Sequence, residues 1–211
     1  MDRLPLEPVS AIPEIRLHQA GSTSGLSRLP SENTPYWAYV WAGGAALARY
    51  ILDHPQTVAD KCVLDLGTGS GLVAIAAAMA GAREATGADI DPFALKALSL
   101  NAAANGVGVA GLLMDAETPE PIAADVVMAG DLFYQRDLAD RVIGRLDRCR
   151  LAGADVLIGD PWRAGLPVSR LRLLADYAVP DFGDGRGGAL TRSGVFTIEP
   201  SDRRRKTTDF V

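Results

Sequence analysis

From residue 61 onward the chain repeats one pattern: a short apolar run, a turn, then an amphipathic stretch. Cys62 to Leu66 is apolar apart from Asp65, and Glu84 to Ile90, Val109 to Met114, Asp125 to Ala129 and Ala154 to Ile158 are further strand-like runs. Between them, Leu72 to Ala80 is an alanine-rich helix stopped by Gly81. Pro92 to Ala104 is a helix with Asp91 as N-cap, Pro92 at its first position and Gly106 just past its end. Leu138 to Arg150 puts Leu138, Val142, Ile143 and Leu146 on one helical face, and Val168 to Ala175 is also predicted helical. Tyr177 to Val179 and Val195 to Ile198 are the last two predicted strands; with no strong helix between them, one is expected to run antiparallel. Upstream, residues 1–13 carry three prolines and read as a loose arm, Glu14 to His18 alternates like a short strand, and Ala45 to Leu52 reads as a helix. Strands alternating with helices predict a Rossmann-like α/β fold, a seven-stranded mostly parallel sheet with helices on both faces. The division expected is an N-terminal arm and lid over 1–45, the α/β domain over 46–200 and a basic tail over 201–211.

The 211 residues, 48% hydrophobic and 22% charged, suffice for one domain with a sizeable core. A net charge of −5 gives no general attraction for nucleic acid, and no nucleic-acid partner is expected. The basic run Arg203 to Lys206 reads as a solvated terminus. Two cysteines, Cys62 and Cys149, make no disulfide framework; Cys62, opening an apolar run, reads as a small hydrophobe. His18 and His54 stand far apart without ligand partners, so no metal is expected. Met1 to Ser10 has no apolar core of a signal peptide and the most apolar helix is too short to span a bilayer, so the expectation is a cytoplasmic protein without membrane association.

The sharpest chemical signal is Asp65-Leu66-Gly67-Thr68-Gly69-Ser70-Gly71. A dinucleotide fingerprint needs G-x-G-x-x-G, with its third glycine where Leu72 stands; here the pattern is G-x-G-x-G after an acidic residue on the strand. S-adenosylmethionine has no pyrophosphate but a cationic methionine end, which Asp65 complements, while Gly67, Gly69 and Gly71 let the backbone approach the nucleoside. Asp89, ending the second strand of the domain beside Ile90, is the expected acceptor for the ribose hydroxyls; Asp91 is better explained as the helix cap. Met114 and Asp115, after the third strand, suit adenine, one by apolar contact and one as acceptor for its amino group, although Asp115 is equally a plain loop carboxylate. The fold class expected is therefore the class I S-adenosylmethionine-dependent methyltransferase.

Gly130-Asp131-Leu132-Phe133-Tyr134 follows the fourth strand, the strand end that faces the donor methyl group in this fold. Asp131 is the candidate to orient an incoming amine, and Tyr134 to desolvate it or offer a ring face to a cation; the competing readings are that Asp131 caps the next helix and Phe133 packs in the core, the latter being preferred for Phe133. Tyr36, Trp37, Tyr39 and Trp41, followed by Gly43-Gly44, either pack under the arm or wall the cofactor and a substrate slot; Trp41 is the choice for cofactor contact.

The stretches Glu14-Ile15-Arg16-Leu17, Pro35-Tyr36-Trp37-Ala38, Trp41-Ala42-Gly43-Gly44, Asp89-Ile90-Asp91-Pro92, Asp131-Leu132-Phe133-Tyr134 and Ile158-Gly159-Asp160-Pro161 carry a resemblance. The chain resembles the seven-β-strand protein methyltransferases of the methyltransferase-16 type, with their D-x-x-Y element after the fourth strand and their upstream tryptophan. Within that group it is most similar to the lysine methyltransferases of the electron transfer flavoprotein β subunit. The resemblance implies methyl transfer to lysine side chains of that flavoprotein subunit, with Asp131 and Tyr134 as catalytic residues and Trp41, Asp65, Gly67, Gly69, Gly71, Asp89, Ile90, Met114, Asp115 and Gly130 binding the cofactor. In the family pattern Asp160-Pro161 is followed by glycine and arginine, then a tyrosine; here Trp162 and Gly165 occupy the first and last of those places. Methylation of a ribosomal-protein lysine, methylation of a small molecule and non-catalytic cofactor binding are the alternatives. The role of the glycine-rich loop at 183–188 is left open.

Overall fold

The computed structural model describes residues 4–20, 35–115, 123–181 and 190–199. Strands β1 (Leu6–Val9) and β2 (Ile12–His18) form an antiparallel hairpin. Then come α1 (Ala42–Asp53), β3 (Cys62–Leu66), α2 (Leu72–Met79), β4 (Glu84–Asp89), α3 (Pro92–Ala104), β5 (Ala110–Leu113), β6 (Val126–Gly130), α4 (Arg136–Leu151), β7 (Asp155–Asp160), β8 (Leu171–Pro180) and β9 (Leu190–Ile198). The last seven strands make one sheet in the order β5-β4-β3-β6-β7-β9-β8. All neighbours from β5 to β7 are parallel, and β9 runs antiparallel to both β7 and β8. Structures with this alternation bury the central strands on both faces, which is why β3 and β6 read as continuous apolar runs.

One core joins α1, α2, the hairpin and one sheet face; a second packs the other face against α4, whose Ala139, Val142, Leu146 and Cys149 follow helical spacing. Helix α2 is buried from Leu72 to Ala77, and its small side chains let it lie close to the sheet. Helix α3 starts on the Asp91 carboxylate, which accepts from the Phe93 N–H at 2.8 Å, with Pro92 at its first position.

Two regions depart from the sequence-based expectation. Residues 168–175 are a single turn of 3₁₀ helix, Val168–Arg170, followed by β8. There the apolar spacing is overridden by a non-local ladder: Leu171 pairs with Ile198 and the register runs on to Pro180 with Leu190. The expected loose arm contains β1 and the start of β2, and Val9, Ile12, Ile15 and Leu17 are buried in the same core as α1 and α2. Two asparagines of α3 and its C-terminal cap pin this hairpin. Asn101, fully buried, accepts from the His18 N–H at 2.8 Å, and Asn105 both accepts from the Arg16 N–H at 2.9 Å and donates to the Arg16 carbonyl at 2.7 Å. Helix α1 begins at Ala42, so it crosses the expected boundary at 45. Cys62 is only half-buried and accepts from the Arg83 guanidinium at 3.0 Å. The 183–188 loop and the 201–211 tail lie outside the described residues. Among the described residues no helix is long and apolar enough to cross a membrane, and no group of three or more His, Cys, Asp and Glu could hold a metal ion.

Helix α1 crosses the sheet at unusually short range because glycines face each other there. A Cβ on Gly159 would collide with the Gly43 carbonyl and lie 2.8 Å from the Leu47 side chain. Gly159→Ala is therefore expected to destabilise the protein by about 1–3 kcal/mol through overpacking. Gly144→Ala, in α4 with nothing nearer than 3.9 Å to the new methyl, should instead stabilise it by up to about 1 kcal/mol. Urea unfolding of both variants checks this.

Candidate active site

The carboxyl ends of β3, β4, β5 and β6 lie along one edge of the sheet, and a cleft of about 510 Å³ opens above them. This is where parallel α/β sheets bind ligands, because the loops leaving the strands diverge there. Between β3 and α2 the backbone takes positive φ at Gly67 (64°), Gly69 (52°) and Gly71 (87°), a region closed to most side chains. This run of turns leaves the backbone of residues 67–69 bare toward the cleft. Asp65 lies beneath it, fully buried, accepting from the Thr68 hydroxyl at 2.7 Å. Burial pushes the Asp65 carboxyl up to about 7, against the Thr68 hydrogen bond that favours its charge. Asp89, at the end of β4, is oriented by two backbone donors, the Gly69 N–H to Oδ2 and the Asp91 N–H to Oδ1, both at 2.9 Å. Burial raises its pKa too, with those amides opposing. Each oxygen of Asp89 keeps a further lone pair for a ligand.

At the end of β6 the chain turns at Asp131, whose φ of 61° is rare outside glycine, and its N–H donates to the Gly159 carbonyl at 2.9 Å. That conformation swings the Asp131 carboxylate under the first turn of α1. Helix α1 has no side-chain cap of its own, and Oδ2 of Asp131 accepts from the Gly44 N–H at 2.5 Å. The carboxylate thus caps a helix 87 residues away, not the next helix, α4, whose N-cap position is Gln135. Oδ1 of Asp131 accepts from Arg163, which also donates to Asp160 Oδ2 at 3.3 Å, while the Arg163 N–H donates to Asp160 Oδ1 at 2.7 Å. Burial raises the pKa of Asp131, opposed first by the Arg163 charge. Asp160, fully buried, is pushed up to about 6 by burial. Burial also works against the Arg163 charge, but Asp131 and Asp160 outweigh it and hold the guanidinium cationic.

An aromatic row borders the reactive end. Tyr39 stands edge-on to Trp41 (6.3 Å between ring centroids), Trp41 leans on Tyr36 (5.7 Å), and Tyr36 stacks beside Tyr134 (6.1 Å). The Trp41 indole N–H donates to the Tyr36 carbonyl at 2.9 Å, tying the row to its own turn. Burial holds the Tyr134 phenol above its ordinary pKa, so it stays neutral.

Of the residues singled out in the sequence, Trp41, Asp65, Gly67, Gly69, Asp89, Ile90, Met114, Asp115, Gly130, Asp131 and Tyr134 all line this one cleft. Gly71 does not. It is the left-handed N-cap of α2, where a Cβ would collide with Leu98, so it serves the packing of α2 on α3. Phe133 is buried in the core, as preferred from the sequence. Sequence reasoning passed over Arg163, Arg145 and Asn101. Arg145 sits fully buried on the apolar face of α4 and donates to the Met114 sulfur at 3.6 Å. Asn101 donates to the Ser70 carbonyl at 2.8 Å and so joins the hairpin to the glycine turn. Both were visible as polar residues on otherwise apolar helical faces.

The donor set fits S-adenosylmethionine: a buried carboxylate for an ammonium, a paired-acceptor carboxylate for ribose hydroxyls, bare backbone between them, and no cradle for a pyrophosphate. Comparison with known proteins agrees. The family model of ribosomal protein L11 methyltransferase matches residues 46–134. The chain is 41% identical over 172 residues to the electron transfer flavoprotein beta subunit lysine methyltransferase of Rattus norvegicus, covering 79% of this chain and 68% of that protein. It is 40% identical over 202 residues to the protein of the same name from Xenopus laevis, covering 89% and 80%. The crystal structure of magnesium protoporphyrin IX methyltransferase from Synechocystis PCC 6803 with bound SAM shares the fold, with a TM-score of 0.53 at 17% identity over 74% of this chain and 78% of that one. Fold, donor set and an identity that runs far beyond the donor-binding segment converge: the chain belongs to the electron transfer flavoprotein beta subunit lysine methyltransferase family of S-adenosylmethionine-dependent class I methyltransferases.

Proposed function

We propose that this protein transfers methyl groups from S-adenosylmethionine to lysine side chains of the electron transfer flavoprotein β subunit. The observation that carries the substrate assignment is the length of the relationship. About 40% identity over 172 to 202 residues extends well past residues 46–134, the segment matched by the L11 methyltransferase model. The L11 methyltransferase model stops at Tyr134 and leaves out Arg163 and the aromatic turn, so a ribosomal-protein substrate has less support.

Bound in the cleft, S-adenosylmethionine supplies an electrophilic methyl group on a sulfonium. Asp65 is the residue to hold its ammonium, Asp89 its ribose, and Met114 with Asp115 its adenine; Trp41, Ile90 and the glycine turn close around it. The nucleophile is a lysine Nζ, which at a reference pKa of about 10.4 must shed its proton to solvent before it can attack. Withdrawal from bulk water into the cleft favours that loss, because desolvation disfavours the ammonium. Asp131 is paired with Arg163 and with the amides of α1, and beyond these donors it has acceptor capacity left to aim the amine. It acts by orientation: a positioned amine in line with the methyl is most of what such a displacement requires. Tyr134 forms the wall beside it.

The direct test is to incubate the protein with labelled donor and the flavoprotein β subunit. Lysine label is expected with the natural chain. With Asp131→Asn, which keeps the shape but loses the charge, it should fall about 100-fold while donor affinity changes little, in line with the loss of a transition-state contact. Label entering some other protein of a lysate, and none entering the flavoprotein subunit, refutes the substrate.

Asp65 gives a pH dependence. Its folded pKa lies near 7 against an ordinary 3.8, so the folded chain holds a proton that the unfolded chain releases. Stability of the donor-free protein should therefore fall as pH rises from about 4 to 7 on account of this group, because there the native state binds more protons than the unfolded state. Donor binding needs the ionised form and runs the other way: affinity should weaken as pH drops below about 7, by up to about tenfold per unit. Calorimetric titration at a series of pH values checks this, and Asp65→Asn should bind weakly with a flat profile.

A further inference from the structure

We propose that Tyr36 is a specificity-determining residue: its ring, beside that of Tyr134, takes the aliphatic stem and cationic head of the lysine side chain. This rests on the lysine-methyltransferase reading given above. Tyr36 belongs to the short turn Tyr36–Ala38 ahead of α1, and Tyr134 to the loop after β6, so two separate elements bring the rings side by side at 6.1 Å and 24°. Both rings line the cleft, yet they are 50% and 49% exposed. Large aromatic surface left open at the mouth of a cleft, with its backbone held by the Trp41 indole, is neither core packing nor a loose surface side chain.

The chemistry of successive methylation explains why a ring is wanted there in addition to Asp131. Each methyl group added to Nζ removes one N–H donor, so a carboxylate acceptor loses grip as the reaction proceeds. The charge is retained once the nitrogen is methylated and protonated or quaternised, and the methyl groups spread it over an apolar surface. A ring face attracts such a cation without needing an N–H. The Tyr134 phenol is held protonated by burial and by its neighbour Tyr36. The stem of the lysine gains apolar contact along the same row. The ring of Tyr36 meets those of Trp41 and Tyr134 at 5.7 and 6.1 Å, and its loss should register on lysine and not on the donor.

The probe is Nα-acetyl-Nε-trimethyl-lysine amide, titrated by NMR into protein loaded with S-adenosylhomocysteine, in the natural chain and in Tyr36→Ala and Tyr36→Phe. Saturable binding is expected in the natural chain and in Tyr36→Phe, with Tyr36→Ala weaker by about fivefold or more, the scale of one cation–π contact. Affinity for S-adenosylmethionine should be unchanged in both variants, which also shows that they are folded. With a lysine-containing protein substrate, Tyr36→Ala should shift the products toward the monomethyl form by mass spectrometry. Equal probe binding in natural chain and Tyr36→Ala, no saturable binding in the natural chain, or a parallel loss of donor affinity each overturns the proposal. Failure of the parent reading is separate: the flavoprotein subunit then stays unlabelled by the natural chain, whatever the probe does.

Discussion

The reactive end of this enzyme depends on one carboxylate. Asp131 joins three elements that are remote in sequence: its backbone ends β6, its N–H reaches β7 through the Gly159 carbonyl, and its side chain caps α1 and pairs with Arg163. None of these contacts is available unless the residue adopts φ of 61°, which costs about 1–2 kcal/mol for a residue with a Cβ. Aspartate is among the few side chains that tolerate the left-handed region, and here the capped amides and the ion pair offset the cost. The short crossing of α1 over Gly130 and Gly159 follows from the same requirement. Gly130 has the Gly44 Cα 3.0 Å from where its Cβ would be, so the helix can bring its N-terminus down to the carboxylate only over bare backbone.

Along the cleft the acids are arranged by how they are neutralised. Asp131 and Asp160 share the built-in cation Arg163, so their charge is satisfied within the chain. Asp65 and Asp89 have hydroxyl and amide donors but no cation among their hydrogen-bond partners, and burial raises the pKa of both. Buried carboxylates in such surroundings favour a ligand that brings positive charge and hydroxyl donors. The donor-binding part of the cleft is thereby complementary to a cationic nucleoside, whereas the carboxylates at the other end are already balanced by Arg163.

The sequence disclosed most of the residues that line the β3–β5 part of the cleft and fewer of those at its β6–β7 end, for reasons rooted in locality. The glycine turn, Asp65, Asp89 and the cap at Asp91 are legible because each acts within one strand–turn–helix unit, where spacing determines geometry. Asp131 was legible as important by its place at a strand end, but the helix it caps was not, since nothing in the local spacing links residue 131 to residue 44. Arg163 was missed because its meaning lies in bridging Asp131 and Asp160 across two strand ends. The same locality explains the fold-level differences. β1 and the start of β2 lost their period-2 signal to prolines and to the irregularity between Pro8 and Val9, and the first half of β8 carried helix-like apolar spacing until pairing with β9 decided its state.

Trp162 and Gly165, the two places after Pro161 where the chain departs from the pattern it resembles, flank Arg163 on one loop. Trp162 occupies a place the pattern gives to glycine, and its φ of 62° shows why glycine suits it. The tryptophan is tolerated because its ring meets Phe196 edge-on at 4.8 Å and lies under the Arg192 guanidinium at 5.0 Å, contacts that a glycine lacks. Three residues on, a Cβ on Gly165 would stand 2.5 Å from the Phe133 carbonyl. The Asp131–Tyr134 segment therefore lies directly against Gly165, in space that a side chain at 165 would need. Arg163 lies between the two substitutions and still spans Asp131 and Asp160. The loop that carries the guanidinium is thus fixed on one side by Trp162 packing on Phe196 of β9 and on the other by the close backbone contact of Gly165 with Phe133.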